Sequence, residues 1–268
     1  MNREQRVKVA EATIEAINQG FVATENKQFN FTPQIYETIY VDGSCILNKQ
    51  PTGIHNNKIR VTNRDTFAAA RDYADTKTLV LNFASPKHPG GGFLTGAGAQ
   101  EECLCRASTL YASLTSNEGK KYYQAQRPFL RGLYSDTLLL SPHVIVFKGE
   151  SGRLLKTPFE TAVITSPAVN VNVALRSGFT QEQIDRAMLE RIRRIIKIAA
   201  IYEYDNIILG AWGCGVFGNE PKKVASMFKQ VLVNEFYRVC FKNIEFAVLD
   251  NSTNKETYFA FANTLKNL

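Results

Sequence analysis

Three consecutive glycines, Gly90, Gly91 and Gly92, are followed seven residues later (Phe93 to Ala99) by Gln100, Glu101 and Glu102. Glycine has no Cβ, so its backbone takes positive φ readily and turns N–H groups onto a bound anion. A pair of carboxylates supplies what general acid and base chemistry requires. Phosphate binding and proton transfer could therefore share one site. The loop from Gly90 to Gln100 holds no lysine, and no Gly-Lys-Ser or Gly-Lys-Thr follows it. It lacks both the lysine and the metal-binding hydroxyl of a nucleotide-hydrolysing P-loop, which argues against kinase or ATPase chemistry. The plainer alternative is a mobile turn before a helix whose first turn is acidic.

The elements that must position these residues are legible nearby. Thr78 to Ala84 reads as a buried strand, and Glu101 to Leu114 as a helix. The loop joins a strand end to a helix start, the place where α/β sheets bind ligands. An opening helix spans Arg3 to Asn18, with Val7, Ala10, Ile14 and Ile17 on one face and Gly20 as its stop. Further strands are predicted at Ile35 to Val41, His143 to Phe147, Ala162 to Thr165, Asn206 to Leu209 and Ile244 to Leu249. Further helices are predicted at Arg64 to Tyr73, Gln181 to Tyr202, Pro221 to Tyr237 and Lys255 to Leu265. This alternation predicts a mixed α/β sheet covered on both faces.

A second glycine-rich stretch, Gly210-Ala211-Trp212-Gly213-Cys214-Gly215-Val216-Phe217-Gly218-Asn219, lies more than 100 residues downstream. Gly213, Gly215 and Gly218 match the dinucleotide-binding spacing after a strand. Only about 50 residues remain beyond it, however, and that fingerprint normally opens a fold with several βα units to come. The acid expected about 20 residues on would fall near Glu235, inside a helix, while Asp250 comes too late. A nicotinamide-dependent oxidoreductase is disfavoured.

Pro89 to Phe93 followed by Gly96-Ala97-Gly98-Ala99-Gln100-Glu101-Glu102 resembles the signature loop of poly(ADP-ribose) glycohydrolases, specifically the compact microbial type built on a macrodomain. The Gly210 to Asn219 stretch resembles that family's other ligand loop, in the expected order. The resemblance covers Thr78 to Pro221 by motif. It implies a three-layer α/β/α macrodomain-like sandwich with a mixed sheet and an N-terminal helical extension: one domain over residues 1–268, with 1–77 as the extension and 78–268 as the core. It implies hydrolysis of ribose–ribose O-glycosidic bonds, releasing ADP-ribose, without metal or cofactor. Glu102 becomes the acid/base and Glu101 the holder of ribose hydroxyls. Asn82, Gly90, Gly91, Gly92, Gln100, Gly213, Cys214, Gly215, Val216 and Phe217 become substrate-binding residues. One departure is Ala168-Val169-Asn170, where the family is expected to read Ala-Pro-Asn, so no ligand role is carried over to Asn170. The alternatives are a hydrolase acting on mono-ADP-ribosylated protein or nucleic acid, and a non-catalytic ADP-ribose reader.

Composition agrees with a globular chain, at 44% hydrophobic and 21% charged residues. No apolar run is long enough to span a bilayer, and Met1 to Arg6 leads into an amphipathic helix rather than a signal-peptide core, so no membrane partner and a cytoplasmic location are expected. The net charge of +7 favours polyanions, with Lys120-Lys121, Arg191-Arg193-Arg194 and Lys222-Lys223 as candidate patches. A pure nucleic-acid binder is the rival class, yet no helix-turn-helix, RNA-recognition or zinc-finger signature is present, and nucleic acid is expected only as a modified substrate. Phe217, Phe93 and Trp212 are candidates for stacking on adenine or ribose.

Cys45, Cys103, Cys105, Cys214 and Cys240 include no Cys-x-x-Cys pair, and only His55, His88 and His143 accompany them. A zinc site has no support, and buried, reduced thiols are expected. Cys214 is the exception, since an anion-binding loop would stabilise its thiolate. The scheme needs carboxylates alone, so a chelator is expected to leave turnover unchanged. Activity lost to chelator and restored by magnesium would sink it.

Overall fold

The computed structural model describes residues 1–23, 28–31, 33–48, 50 and 52–266. In chain order, α1 (Arg3–Gln19) is followed by a two-stranded antiparallel sheet, β1 (Phe21–Ala23) with β2 (Gln28–Asn30), then by β3 (Ile39–Val41), β4 (Ile59–Thr62) and α2 (Thr66–Arg71). Next come β5 (Thr78–Phe83), α3 (Gln100–Ala107), α4 (Leu110–Thr115), α5 (Asn117–Gln126), β6 (Leu138–Lys148) and β7 (Leu154–Ser166). The chain closes with α6 (Val171–Arg176), α7 (Gln181–Ile201), β8 (Asn206–Leu209), α8 (Pro221–Lys229), β9 (Asn243–Ala247) and α9 (Glu256–Thr264).

The main sheet has seven strands in the order β3-β6-β7-β5-β8-β9-β4. β5 is central, parallel to β7 and β8, while β6 runs antiparallel to both its neighbours. The alternation of β5 sorts its side chains between two cores. Leu79 and Leu81 pack with α7, α8 and α9, whereas Val80 packs with α2, α3, α4 and α5. Two helical layers thus enclose one mixed sheet, as expected. The division expected at Thr78 does not coincide with a break in the sheet, because both edge strands, β3 and β4, precede it.

Several elements differ from expectation for local reasons. The helix expected from Glu101 to Leu114 breaks at Ser108, which adopts an extended backbone and bridges to Val146. The Ser108 hydroxyl donates to Leu104 O (2.8 Å), and Thr109 exchanges two bonds with the Ile145 backbone (3.0 and 2.9 Å). Side chains of this type compete with the helical ladder, and here they win. Ile35 is not in a strand but in a 3₁₀ turn, Pro33–Tyr36, where its side chain is buried and its carbonyl accepts from the Ser113 hydroxyl (2.9 Å). The helix from Pro221 gives way to a π turn at Gln230–Asn234 and stops at Phe236, whose φ is 64°. β6 and β7 run well beyond the short segments expected, with a register shift between Ser141 and Val144 that accommodates Pro142. Helices α5 and α6 and strands β1, β2 and β4 were not anticipated.

The expected basic patch at residues 191–194 is not a surface for polyanions. Arg191 is 1% exposed and donates to Asp136 Oδ1, Pro167 O and Leu133 O at 2.8–3.0 Å. Arg193 forks onto Glu235, and Arg194 donates to Asp42 O, Cys45 O and Asp136 O. These arginines tie α7 to the loop before β6, to the segment after β3 and to the end of the π turn. Lys121 and Lys223 are likewise paired, with Glu118 and Asp185. Replacing Arg191 by Leu leaves several buried acceptors without donors at about 1–3 kcal/mol each, so a loss of about 3 kcal/mol or more is expected in chemical denaturation. A loss under about 1 kcal/mol would contradict that accounting.

Candidate active site

The two acids are delivered by the junction of β5 and α3. Gln100 acts as an added rung at the strand end: its Oε1 accepts from Phe83 N (2.9 Å), and its Nε2 donates to Leu81 O (2.8 Å) and Thr66 Oγ1 (3.2 Å). That side chain, expected to bind substrate, is committed to holding the first turn of α3 against β5 and α2. Glu101 and Glu102 follow it, both buried, at 3% and 8% exposure.

The two carboxylates have different surroundings. Glu101 Oε1 accepts from Asn82 Nδ2 (3.2 Å) and its Oε2 from Ser85 N (2.7 Å). Burial pushes its carboxyl up to about 8 and outweighs these bonds, which act in the opposite direction, while the neighbouring Glu102 charge raises it further. Glu102 Oε1 accepts from Gly92 N (2.9 Å), but among the described residues its buried Oε2 has no partner, and nor does Asn82 Oδ1. One oxygen of Glu102 is fixed and the other is uncommitted.

Glycine is required at the cradle. Gly90 and Gly91 have φ of 68° and 57°, and a Cβ on Gly91 would run into Glu102 Oε1 and lie 3.2 Å from Glu101 Oε2. The far side of the loop is braced by α1 and α3. Arg3 Nε donates to Thr95 O (2.9 Å), Arg6 Nε to Gly96 O (2.8 Å) and Arg106 Nη1 to Ala97 O (2.6 Å). Phe93 is fully buried against Tyr111, with ring centroids 5.1 Å apart, so it is core and not a stacking platform.

The second loop follows β8. Trp212 is also core, its Nε1 donating to Ser166 O (3.2 Å). Asn219 Nδ2 donates to Val169 O (2.7 Å) and Gly213 O (3.1 Å), closing the loop on the end of β7. Gly215 and Val216 are exposed, and Phe217 packs on Tyr134 with centroids 5.9 Å apart. Cys214 does not fit the expected thiolate, because burial pushes its thiol up to about 12. The buried-thiol expectation fails differently at Cys45 and Cys103, which are exposed. Asn170 caps α6 by accepting from Val173 N (3.1 Å), which accounts for its side chain without a ligand. Tyr134, brought beside Phe217 from a loop before β6, carried no sequence signal.

A cavity of about 510 Å³ adjoins these loops. It touches Ala99 and Gln100 of the first loop and Ala211, Cys214 and Gly215 of the second, then continues between α2 and α3 past Asp65, Phe67 and Asp250. Glu101 and Glu102 lie behind Gln100, outside its lining. The sequence reading missed this wall. Its one available signal was Asp65, an N-cap that accepts from Ala68 N (2.9 Å) directly after β4, which makes a second strand-to-helix junction beside the first.

The chain as a whole matches solved proteins over nearly its entire length. The family model for the microbial-type PARG catalytic domain, PARG being poly(ADP-ribose) glycohydrolase, covers residues 10–149. The chain belongs to the microbial-type PARG family. Its structure is similar to the PARG of Thermomonospora curvata at 35% identity and a TM-score of 0.88, covering 98% of this chain and 100% of that one. It is also similar to the same enzyme bound to the inhibitor ADP-HPD, at 36% identity, TM-score 0.87, and 97% and 99% coverage. A third match is PARG from Deinococcus radiodurans in complex with ADP-ribose, at 39% identity, TM-score 0.80, and 87% and 95% coverage. A comparison with curated proteins returns no match. Membership makes this chain a glycohydrolase and sets aside the oxidoreductase and pure nucleic-acid-binding readings. Among the described residues of this PARG, no helix is long and apolar enough to cross a membrane.

The raised Glu101 carboxyl has a measurable sign. Its folded value, about 8, lies above the 4.5 of the free side chain, so the folded state keeps a proton that the unfolded state has lost. The group's contribution to stability is present below pH 4.5 and is lost as pH rises towards 8. Its slope is at most about 1.4 kcal/mol per pH unit. Denaturant melts across that window are expected to show wild-type stability falling relative to Glu101→Gln as pH rises. Parallel curves would contradict the assignment.

Proposed function

We propose that this glycohydrolase cleaves the ribose–ribose O-glycosidic bond of poly(ADP-ribose), with Glu102 as the acid and base and Glu101 as the group that holds the ribose. The buried, unpartnered Oε2 of Glu102 carries the reading. An uncommitted buried carboxyl oxygen lacks a bond that a ligand can supply, whereas both oxygens of Glu101 are already bonded within the protein.

The proton path is short. Protonated Glu102 gives its proton to the departing ribose oxygen as the glycosidic bond breaks, and an oxocarbenium-like centre develops at the anomeric carbon. The resulting carboxylate then takes a proton from water as the water oxygen bonds to that carbon, so one bond is exchanged for two hydroxyls and Glu102 ends protonated. Burial favours the neutral form of Glu101, so once Glu102 has given up its proton the site need not hold two buried negative charges beside one sugar. The N–H of Gly92 holds Glu102 Oε1 still throughout.

The same reading arranges the rest of the ligand. The glycine cradle lets a sugar approach the acids closely, and the N–H groups of Gly213 to Phe217 suit a pyrophosphate. The upper part of the cavity, beside Cys214, Gly215 and Asp65, suits the adenosine end. ADP-ribose bound to the Deinococcus radiodurans enzyme and ADP-HPD bound to the Thermomonospora curvata enzyme support that class of ligand.

Glu102→Gln keeps the side-chain shape but cannot transfer the proton, so turnover is expected to fall by about 10²–10⁴-fold while ADP-ribose affinity survives. Glu101→Gln is expected to weaken both affinity and turnover, because its role is positional. Chain hydrolysis and ADP-ribose titration of both variants make the comparison; near-normal turnover by Glu102→Gln overturns the assignment.

A further inference from the structure

The cavity continues well past the loops. α3 turns Gln100, Cys103, Leu104 and Ala107 towards it, a single helix face at i, i+3, i+4 and i+7 that runs about 10 Å. One end meets the second glycine loop, and the other reaches Lys148, Gly149 and Glu150 where β6 turns towards β7. Between them the floor is apolar. Phe67 and Phe159 meet there edge to face, with centroids 6.5 Å apart.

Charge at the far end is asymmetric. Arg71, on the last turn of α2, is exposed, lines the cavity and has no ionic or hydrogen-bonded partner among the described residues. Arg64, on the same wall, is already held by Asp72 and Glu245, each at 2.7 Å. Lys148 Nζ is directed to Thr13 Oγ1 (2.7 Å) and Val9 O (3.3 Å) on α1. Among the described residues, Arg71 is therefore the lining cation whose side chain is uncommitted. The acids of the lining are Asp65, which caps α2, Glu150 on the hairpin turn and Asp250 beyond β9.

We infer that the lower half of this groove, between α2 and α3, is a subsite for a second adenine-bearing unit of the same poly(ADP-ribose) chain, with Arg71 pairing its pyrophosphate. An apolar trough floored by two phenylalanines accepts the face of a base, and a free planar guanidinium at its rim matches phosphate oxygens. The groove is continuous with the part that suits the adenosine end of the first unit, so one strand can occupy both. The inference rests on the proposed function above, which supplies the first unit and its orientation.

The test uses the full chain and purified poly(ADP-ribose) of two lengths: the shortest cleavable chain, with two units, and long chains. Arg71→Glu is expected to raise KM for long chains about tenfold, leaving kcat on both lengths, KM on the short chain and ADP-ribose affinity unchanged. Arg71→Lys keeps the charge and is expected to restore most of the long-chain KM. A KM that shifts equally on both lengths, or on neither, overturns the subsite while leaving the Glu102 chemistry standing. Wild-type protein that hydrolyses neither length overturns the glycosidase reading and the subsite with it.

Discussion

Glu101 and Glu102 are adjacent in sequence and both buried, and a buried carboxylate without compensation costs several kcal/mol. Much of the surrounding structure serves to compensate for that burial. The N–H groups of Ser85 and Gly92 and the amide of Asn82 are aimed at three of the four carboxyl oxygens. Where these donors fall short, Glu101 takes up a proton. The fourth oxygen, Glu102 Oε2, has no partner among the described residues, so the proposed acid and base is the part of the acid pair that folding leaves unsatisfied.

Holding that arrangement demands a rigid loop made of flexible residues. Gly91 is needed because a side chain there would collide with the acids, and Gly92 because a Cβ would run into Ala97, yet glycine loses the most backbone freedom on ordering. The loop is stiffened from outside, through the carbonyls of Thr95, Gly96 and Ala97, by three arginine side chains of α1 and α3. α1 is in turn fastened to β6 and α3: Lys148 donates to Thr13, and the Thr13 hydroxyl donates to Arg106 O (2.8 Å). The first helix thus braces the glycine loop of the proposed site.

Both glycine loops and their flanking strands were legible because they are contiguous patterns: an apolar run, glycines and acids at fixed spacing. The distinct surroundings of Glu101 and Glu102 were not, since neighbouring helical residues point in different directions and meet partners from different segments. Gln100 looked like a ligand residue, and its use as a rung between β5 and α3 depends on Thr66, which is close only in three dimensions. The arginines of α7 looked like a polyanion patch because sequence shows charge but not the carbonyls it is spent on. The break at Ser108 was hidden for a similar reason, as its competitor for the backbone is a strand nearly forty residues away.

The wall of the cavity has a late origin. β4, which carries α2 directly after it, finds its sheet partner in β9, with Val61 opposite Phe246. Glu245 of β9 is fully buried and takes its counter-charge from Arg64 and a hydroxyl bond from Thr62. A ribosome releasing this chain from its N-terminus therefore exposes β4 as an unpaired edge until β9, about 180 residues further on, has emerged, and loops this long close slowly. The acids lie on α3 and their glycine cradle in the loop that joins it to β5, and the partners of β5, β7 and β8, are made earlier than β9. Synthesis thus yields a nascent chain in which the proposed reactive corner can form before the surface proposed to receive a base.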